Sequence, residues 1–267
     1  MIFCNGFVGC KFQSQTVEFC SSDTKDKFLK NLKSQPEDWY YRTTPIEYKY
    51  NENGHRSKEI KDLDFDNYIL YTGCSHTEGI GIELAKTYPY LFSKMLDKDY
   101  YNLAVEGTGI DVVEYNLLTW FAKYTKKPKL VVIQWPDHSR FLSKYPGYEN
   151  FIPEGTWAKD KNFSKFFAAS DITGFYNARK NISYRLIHNV IDVPIIGVYL
   201  SSLATYDNKS VRVRRYDKAR DLQHSGIVTN ADIANRILDY YKTINSGIVT
   251  NADIVNRMLV DYYKTIH

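Results

Sequence analysis

Residues 68–79 read Tyr68-Ile69-Leu70-Tyr71-Thr72-Gly73-Cys74-Ser75-His76-Thr77-Glu78-Gly79. An apolar, aromatic and β-branched run stops on a glycine, and three side chains capable of chemistry follow it. The run has the composition of a strand. Residues 80–96 then carry apolar side chains at helical spacing. The same grammar repeats downstream. Residues 101–105 read as a strand ended by Glu106-Gly107-Thr108-Gly109, and residues 110–124 as a helix. Leu130-Val131-Val132-Ile133 is a continuous apolar run, as expected of a strand covered on both faces. Residues 163–191 read as mostly helical with an interruption near Gly174, and 194–200 as another buried strand. Strands alternating with helices predict an α/β protein, a three-layer α/β/α sandwich around a mostly parallel sheet.

Outward from this core the signals thin. Residues 1–66 read as an extension with few periodic runs, a short helix over 25–33 and an alternating strand over 45–50. Residues 67–245 form the main domain. Residues 246–267 repeat 225–245, and 18 of 21 positions match once Val260 is treated as an insertion. Thr229 with Asp232, and Thr250 with Asp253, look like helix N-caps with an acidic partner three residues on. The C-terminus therefore reads as one amphipathic helix written twice. The second copy is either a peripheral addition or a surface for homo-oligomer formation.

Composition excludes several classes. The chain has 267 residues, 43% hydrophobic and 25% charged, which is ordinary for a globular protein. A net charge of +4 without a dense basic stripe gives no nucleic-acid footprint. The densest basic patch, Arg212-Val213-Arg214-Arg215, reads as a solvated strand edge or turn. No apolar stretch approaches a membrane span, and the first residues lack the pattern of a signal peptide. Cys4, Cys10, Cys20 and Cys74 match no zinc spacing and read as free thiols in a reducing compartment, so a cytoplasmic protein is expected.

Ligands of parallel sheets gather at the carboxyl ends of the strands. Three blocks put polar residues there. In Gly73-Cys74-Ser75-His76 a serine sits near a helix N-terminus. In 102–109 a glycine lets the backbone approach a ligand. In Asp221-Leu222-Gln223-His224 a carboxylate three residues before an imidazole can hold one ring nitrogen and leave the other as a base. Each block alone is a weak signal.

Together, and in this order, they resemble the SGNH (GDSL-type) hydrolase family. The resemblance spans about 67–245 and extends to 48–56, YKYNENGHR, similar to a leading strand and turn of some members. It implies a flavodoxin-like SGNH hydrolase fold, with Ser75 as nucleophile, His224 as general base oriented by Asp221, and no need of a metal or organic cofactor. The Ser75 and Gly107 N–H groups would hold an oxyanion. Cys74 stands where the family has Asp, and Ser225 where proline often follows the histidine. The third block departs further: Gln134-Trp135-Pro136-Asp137-His138-Ser139-Arg140 has no Asn to donate to the oxyanion. Asp137 falls near the Asn position, but its negative charge would repel the oxyanion. Gln134, His138 and Arg140 are the candidate stand-ins.

The expected activity is hydrolysis of a carboxylic ester, acyl or acetyl, on a small molecule or glycan. Two other readings stay open: O-acyl transfer to a glycan with the same triad, and a catalytically weak binding or structural protein. Trp135, Tyr145, Tyr148, Phe151 and Trp157 are candidates for a pocket lining or for the core.

Overall fold

The computed structural model describes residues 1–136, 140–143, 152–154, 165, 172–200 and 210–246. Its centre is a five-stranded sheet in the order Ser210–Arg212, Ile195–Tyr199, Leu130–Gln134, Tyr68–Thr72, Asp99–Asn102. Every neighbouring pair is parallel. In chain order the strands run 2-1-3-4-5. The first strand, Tyr68–Thr72, is thus flanked by the second and the third, and the direction of winding reverses there.

Side chains alternate across this sheet. Leu70, Val131 and Ile133 face one core with Ile110, Val113, Leu117, Trp120, Ile187 and Ile191. That layer is the helices Ile110–Lys123 and Ile172–Val190. Ile69, Tyr71, Leu130, Val132, Ile196 and Val198 face the other core with Tyr88, Phe92, Ile233, Ala234 and Ile237. That layer is the helices Tyr88–Met95 and Ile227–Asn245. The three-layer α/β arrangement follows from strands that are apolar on both faces.

Several local expectations are corrected. The apolar pattern over 80–96 is not one helix. A single turn, Ser75–Glu78, ends at Gly79, whose φ of +83° a side chain would strain. The helix restarts at Tyr88, capped by the Thr87 hydroxyl with Pro89 in its first turn. The strand expected over 101–105 is Asp99–Asn102. The helix Ile172–Val190 runs through Gly174 without interruption. Thr229 is not a helix cap. The helix starts at Ile227, and the Asp217 carboxylate accepts from the backbone N–H groups of Val228 and Thr229 at 2.9 and 2.8 Å and from the Thr229 hydroxyl. An aspartate outside the helix thus does the capping. The second copy of the repeat, from 247 onward, lies outside the described residues.

The N-terminal residues do more than lead into the core. They form the helix Lys25–Ser34 and a short antiparallel pair, Thr16–Val17 with Tyr48–Lys49, and this pair contributes Tyr48 and Val17 to a third apolar cluster. In it Cys10, Cys20, Tyr41, Ile46, Tyr48 and Tyr50 pack on Ile80, Ile82, Val105 and Ala219. Those last four lie in the loops at the carboxyl ends of the strands, so the N-terminal residues cover the end of the sheet that carries the chemical groups.

Candidate active site

Ser75 opens the short helix that leaves the first strand. As its first residue, its N–H has no intrahelical acceptor, while its neighbours Thr77 and Glu78 donate to the Cys74 carbonyl. Gly73 is required by close packing: a Cβ there would lie 2.4 Å from the Thr77 hydroxyl. Cys74 is turned inward, with its thiol 3.1 Å from Gln134 Oε1. Ser75 is 2% exposed and lines a cavity of about 580 Å³.

The 219–226 turn brings the second chemical group. It is closed by Ala219 N–H donating to the His224 carbonyl and by a bridge between Lys218 and Ser225. Leu222 at its centre has φ +59°, a left-handed conformation that costs a branched residue about 1–2 kcal/mol. The Asp221 Oδ1 atom accepts from the N–H groups of Gln223 and His224, both at 3.0 Å. Its Oδ2 atom holds His224 Nδ1 at 2.6 Å. Burial alone would push the Asp221 carboxyl up, but the His224 hydrogen bond and charge and the two backbone donors hold it below the ordinary carboxylate range. With Nδ1 committed, Nε2 is the nitrogen of His224 left for the cavity.

That one cavity is lined by Ser75, Glu106, Gly107, Arg140 and His224, and by Lys11 and Ser22 from the N-terminal residues. No hydrogen bond joins the Ser75 and His224 side chains, a spacing often seen in sites without substrate. Of the third-block stand-ins, Gln134 is corrected. Its Oε1 atom faces the Cys74 thiol and the Thr77 hydroxyl and its Nε2 donates to the Trp135 carbonyl, so the side chain ties the third strand to the serine turn. Asp137 and His138 lie outside the described residues, as do Tyr145, Tyr148, Phe151 and Trp157. Trp135 is buried in the core.

Several residues around the site were given no role by the sequence. Arg56, within YKYNENGHR, is buried and donates to the carbonyls of Gly79, Ile82 and Glu47. It stiffens the chain just after the serine turn. Asp23, which accepts from the Tyr48 hydroxyl, pairs with Arg220, the neighbour of Asp221. His76 lies ring to ring with His224, centroids 4.9 Å apart.

Glu78 is buried beneath the site. Its Oε1 atom accepts from the Tyr50 hydroxyl at 2.8 Å, and among the described residues its Oε2 atom has no partner. Burial, then the charge of Glu106, pushes its carboxyl up to about 8. Folded protein therefore binds a proton here that unfolded protein has lost above about pH 4.5. Stability from this group is full below that value and declines as pH rises toward 8. Glu78→Gln, which keeps the acceptor for Tyr50, flattens the decline. Urea unfolding at pH 5, 6.5 and 8 reads it, and parallel pH slopes for variant and wild type would refute it.

Among the described residues no group of three or more His, Cys, Asp or Glu is placed to hold a metal ion, and no helix is long and apolar enough to cross a membrane. Cys10, Cys20 and Cys74 are free thiols.

No protein-family model and no curated protein matches the chain. Solved structures similar to it include a family two carbohydrate esterase from Clostridium thermocellum in complex with cellohexaose, at 18% identity and TM-score 0.42, over 72% of this chain and 67% of that one. A carbohydrate esterase family 2 enzyme of Corynascus thermopiles (Myceliophthora fergusii) is 15% identical over 66% of each chain, with TM-score 0.38. A lipolytic protein of the G-D-S-L family from Veillonella parvula is 12% identical over 67% of this chain and 74% of that one, with TM-score 0.32. This chain thus spans about two thirds of the length of the esterases it matches.

Proposed function

We propose that the protein is a serine hydrolase of carboxylic esters, working through Ser75, His224 and Asp221 and a covalent acyl-enzyme. The observation that carries this reading is that Ser75, Gly107 and an Asp221-anchored His224 line a single cavity.

His224 Nε2 takes the proton of Ser75 Oγ as Oγ bonds to the ester carbonyl carbon. Asp221 keeps the ring oriented and stabilises its charged form. The N–H groups of Ser75 and Gly107 donate to the new oxyanion, and Arg140, the described third-block residue that lines the cavity, adds its positive charge. Collapse breaks the ester C–O bond, and the alcohol leaves with the proton from His224. Water then gives a proton to His224 as its oxygen attacks the acyl carbon, the bond from that carbon to Ser75 Oγ breaks, and His224 returns the proton to Oγ as the acid is released. The substrate is a small-molecule or glycan ester.

A fluorophosphonate tests the nucleophile directly. The expected result is one covalent adduct per chain, located on Ser75 by peptide mass spectrometry, with parallel loss of p-nitrophenyl acetate hydrolysis. An adduct on another residue, or none, sinks the assignment. Product analysis with a glycan acceptor present reads whether water or a sugar hydroxyl takes the acyl group.

A further inference from the structure

His76 is not used in the reaction above, yet it is the side chain packed on its base. The two imidazole rings lie 4.9 Å apart at 59°. His76 also grips the residue after the base: its Nδ1 atom is 3.1 Å from Ser225 Oγ and 3.4 Å from the Ser225 backbone nitrogen. An amide N–H can only donate, so Nδ1 is the acceptor and the ring proton of His76 is on Nε2. From these contacts we infer that His76 is a positioning residue: it links the serine turn to the histidine turn and fixes the face and height of the His224 ring over the cavity.

Three observations make this more than a packing contact. His76 is next to Ser75 and Ser225 is next to His224, so one hydrogen-bonded pair ties both turns together. The 219–226 turn holds Leu222 in a left-handed conformation, so it needs external restraint at its His224 end. Finally, His76 suits a neutral role. Burial, then the positive charges of His224, Arg140 and Arg215, against the opposing charge of Asp221, push its imidazole well below its ordinary value. The Asp221 carboxylate lies against the His224 ring, not against that of His76. His76 remains an acceptor throughout the cycle and does not compete as a base.

The inference rests on the ester-hydrolase reading, and three variants separate the two. Asparagine carries an acceptor near the position of Nδ1, so His76→Asn preserves the link to Ser225, whereas His76→Ala removes it. With p-nitrophenyl acetate, His76→Ala lowers kcat about ten- to a hundredfold, as expected of a misplaced base. KM stays within about twofold, because no substrate contact is lost. His76→Asn recovers kcat to within about threefold of wild type. Thermal unfolding of both variants checks that the fold persists. Wild-type kcat in His76→Ala, equal impairment of the two variants, or a rise in KM without a fall in kcat would each overturn the positioning role while Ser75→Ala stays inactive. Turnover that survives in Ser75→Ala overturns the hydrolase reading itself, and the inference with it.

Discussion

Ser75→Ala lowers the hydrolysis of p-nitrophenyl acetate by on the order of 10⁵-fold or more, the scale seen when the nucleophile of such a triad is removed. The reason lies in how the rest of the site is built. His224 is already held at Nδ1 by a carboxylate, and that carboxylate is held by two backbone N–H groups. The His224 ring, the proposed base, is therefore oriented whether or not the serine is present. Without Oγ it has only water to activate, and the oxyanion donors and the cavity supply the residual rate. Because the residues act as a unit, His224→Ala loses nearly as much as Ser75→Ala, and the double variant loses little more. Additive losses would show that the two side chains do not share a step. Cys74 is not a substitute nucleophile: its thiol is buried against Gln134, so Ser75→Ala should leave no fluorophosphonate labelling at residue 74.

The core strands were legible because each is a run that must be covered on both faces, as Leu130-Val131-Val132-Ile133 is. The order of the three polar blocks was legible for a related reason: in a parallel sheet, chain order determines which loops share an edge. Local signals failed where a distant residue supplied the missing partner. The Thr229 pattern has the composition of a capping box, yet Asp217 does the capping from outside the helix. The stretch 80–96 has a helical apolar pattern, but Gly79 turns the chain left-handed before it, and Thr87-Tyr88-Pro89 marks the real start. That Pro-bearing start was readable in the sequence. The role of residues 1–66 was not. Their apolar side chains are scattered without a period, and their polar ones meet partners as far as nearly two hundred positions away, as Asp23 meets Arg220. No periodicity marks such a residue.

That same pair carries the largest expected effect on stability. Asp23 and Arg220 are almost wholly buried, with Asp23 Oδ2 2.7 and 2.9 Å from two guanidinium nitrogens. The Tyr48 hydroxyl donates to the same oxygen and accepts from Gly81 N–H, and Arg220 Nη2 also donates to the Glu18 carbonyl. The guanidinium lies over the rings of Phe19 and Phe28, at 4.7 and 5.3 Å. Asn31 donates to the Arg220 carbonyl and Arg220 N–H to that of Gly81. Asp23→Ala leaves a buried cation without its counter-charge and a tyrosine hydroxyl without its acceptor. Breaking such a pair costs about 3–5 kcal/mol, a large part of the roughly 5–15 kcal/mol that holds a typical domain together. The urea midpoint falls accordingly, with the slope unchanged. Replacing both partners, Asp23→Leu with Arg220→Met, removes the desolvation cost along with the attraction, so the double variant unfolds later than Asp23→Ala. A double variant weaker than the single one would show that the packing of the guanidinium, not its charge, is what the site depends on. Activity follows the same logic. Arg220 is covalently next to Asp221, so loosening it moves the carboxylate that orients His224, and kcat falls in Asp23→Ala even at temperatures where the protein stays folded.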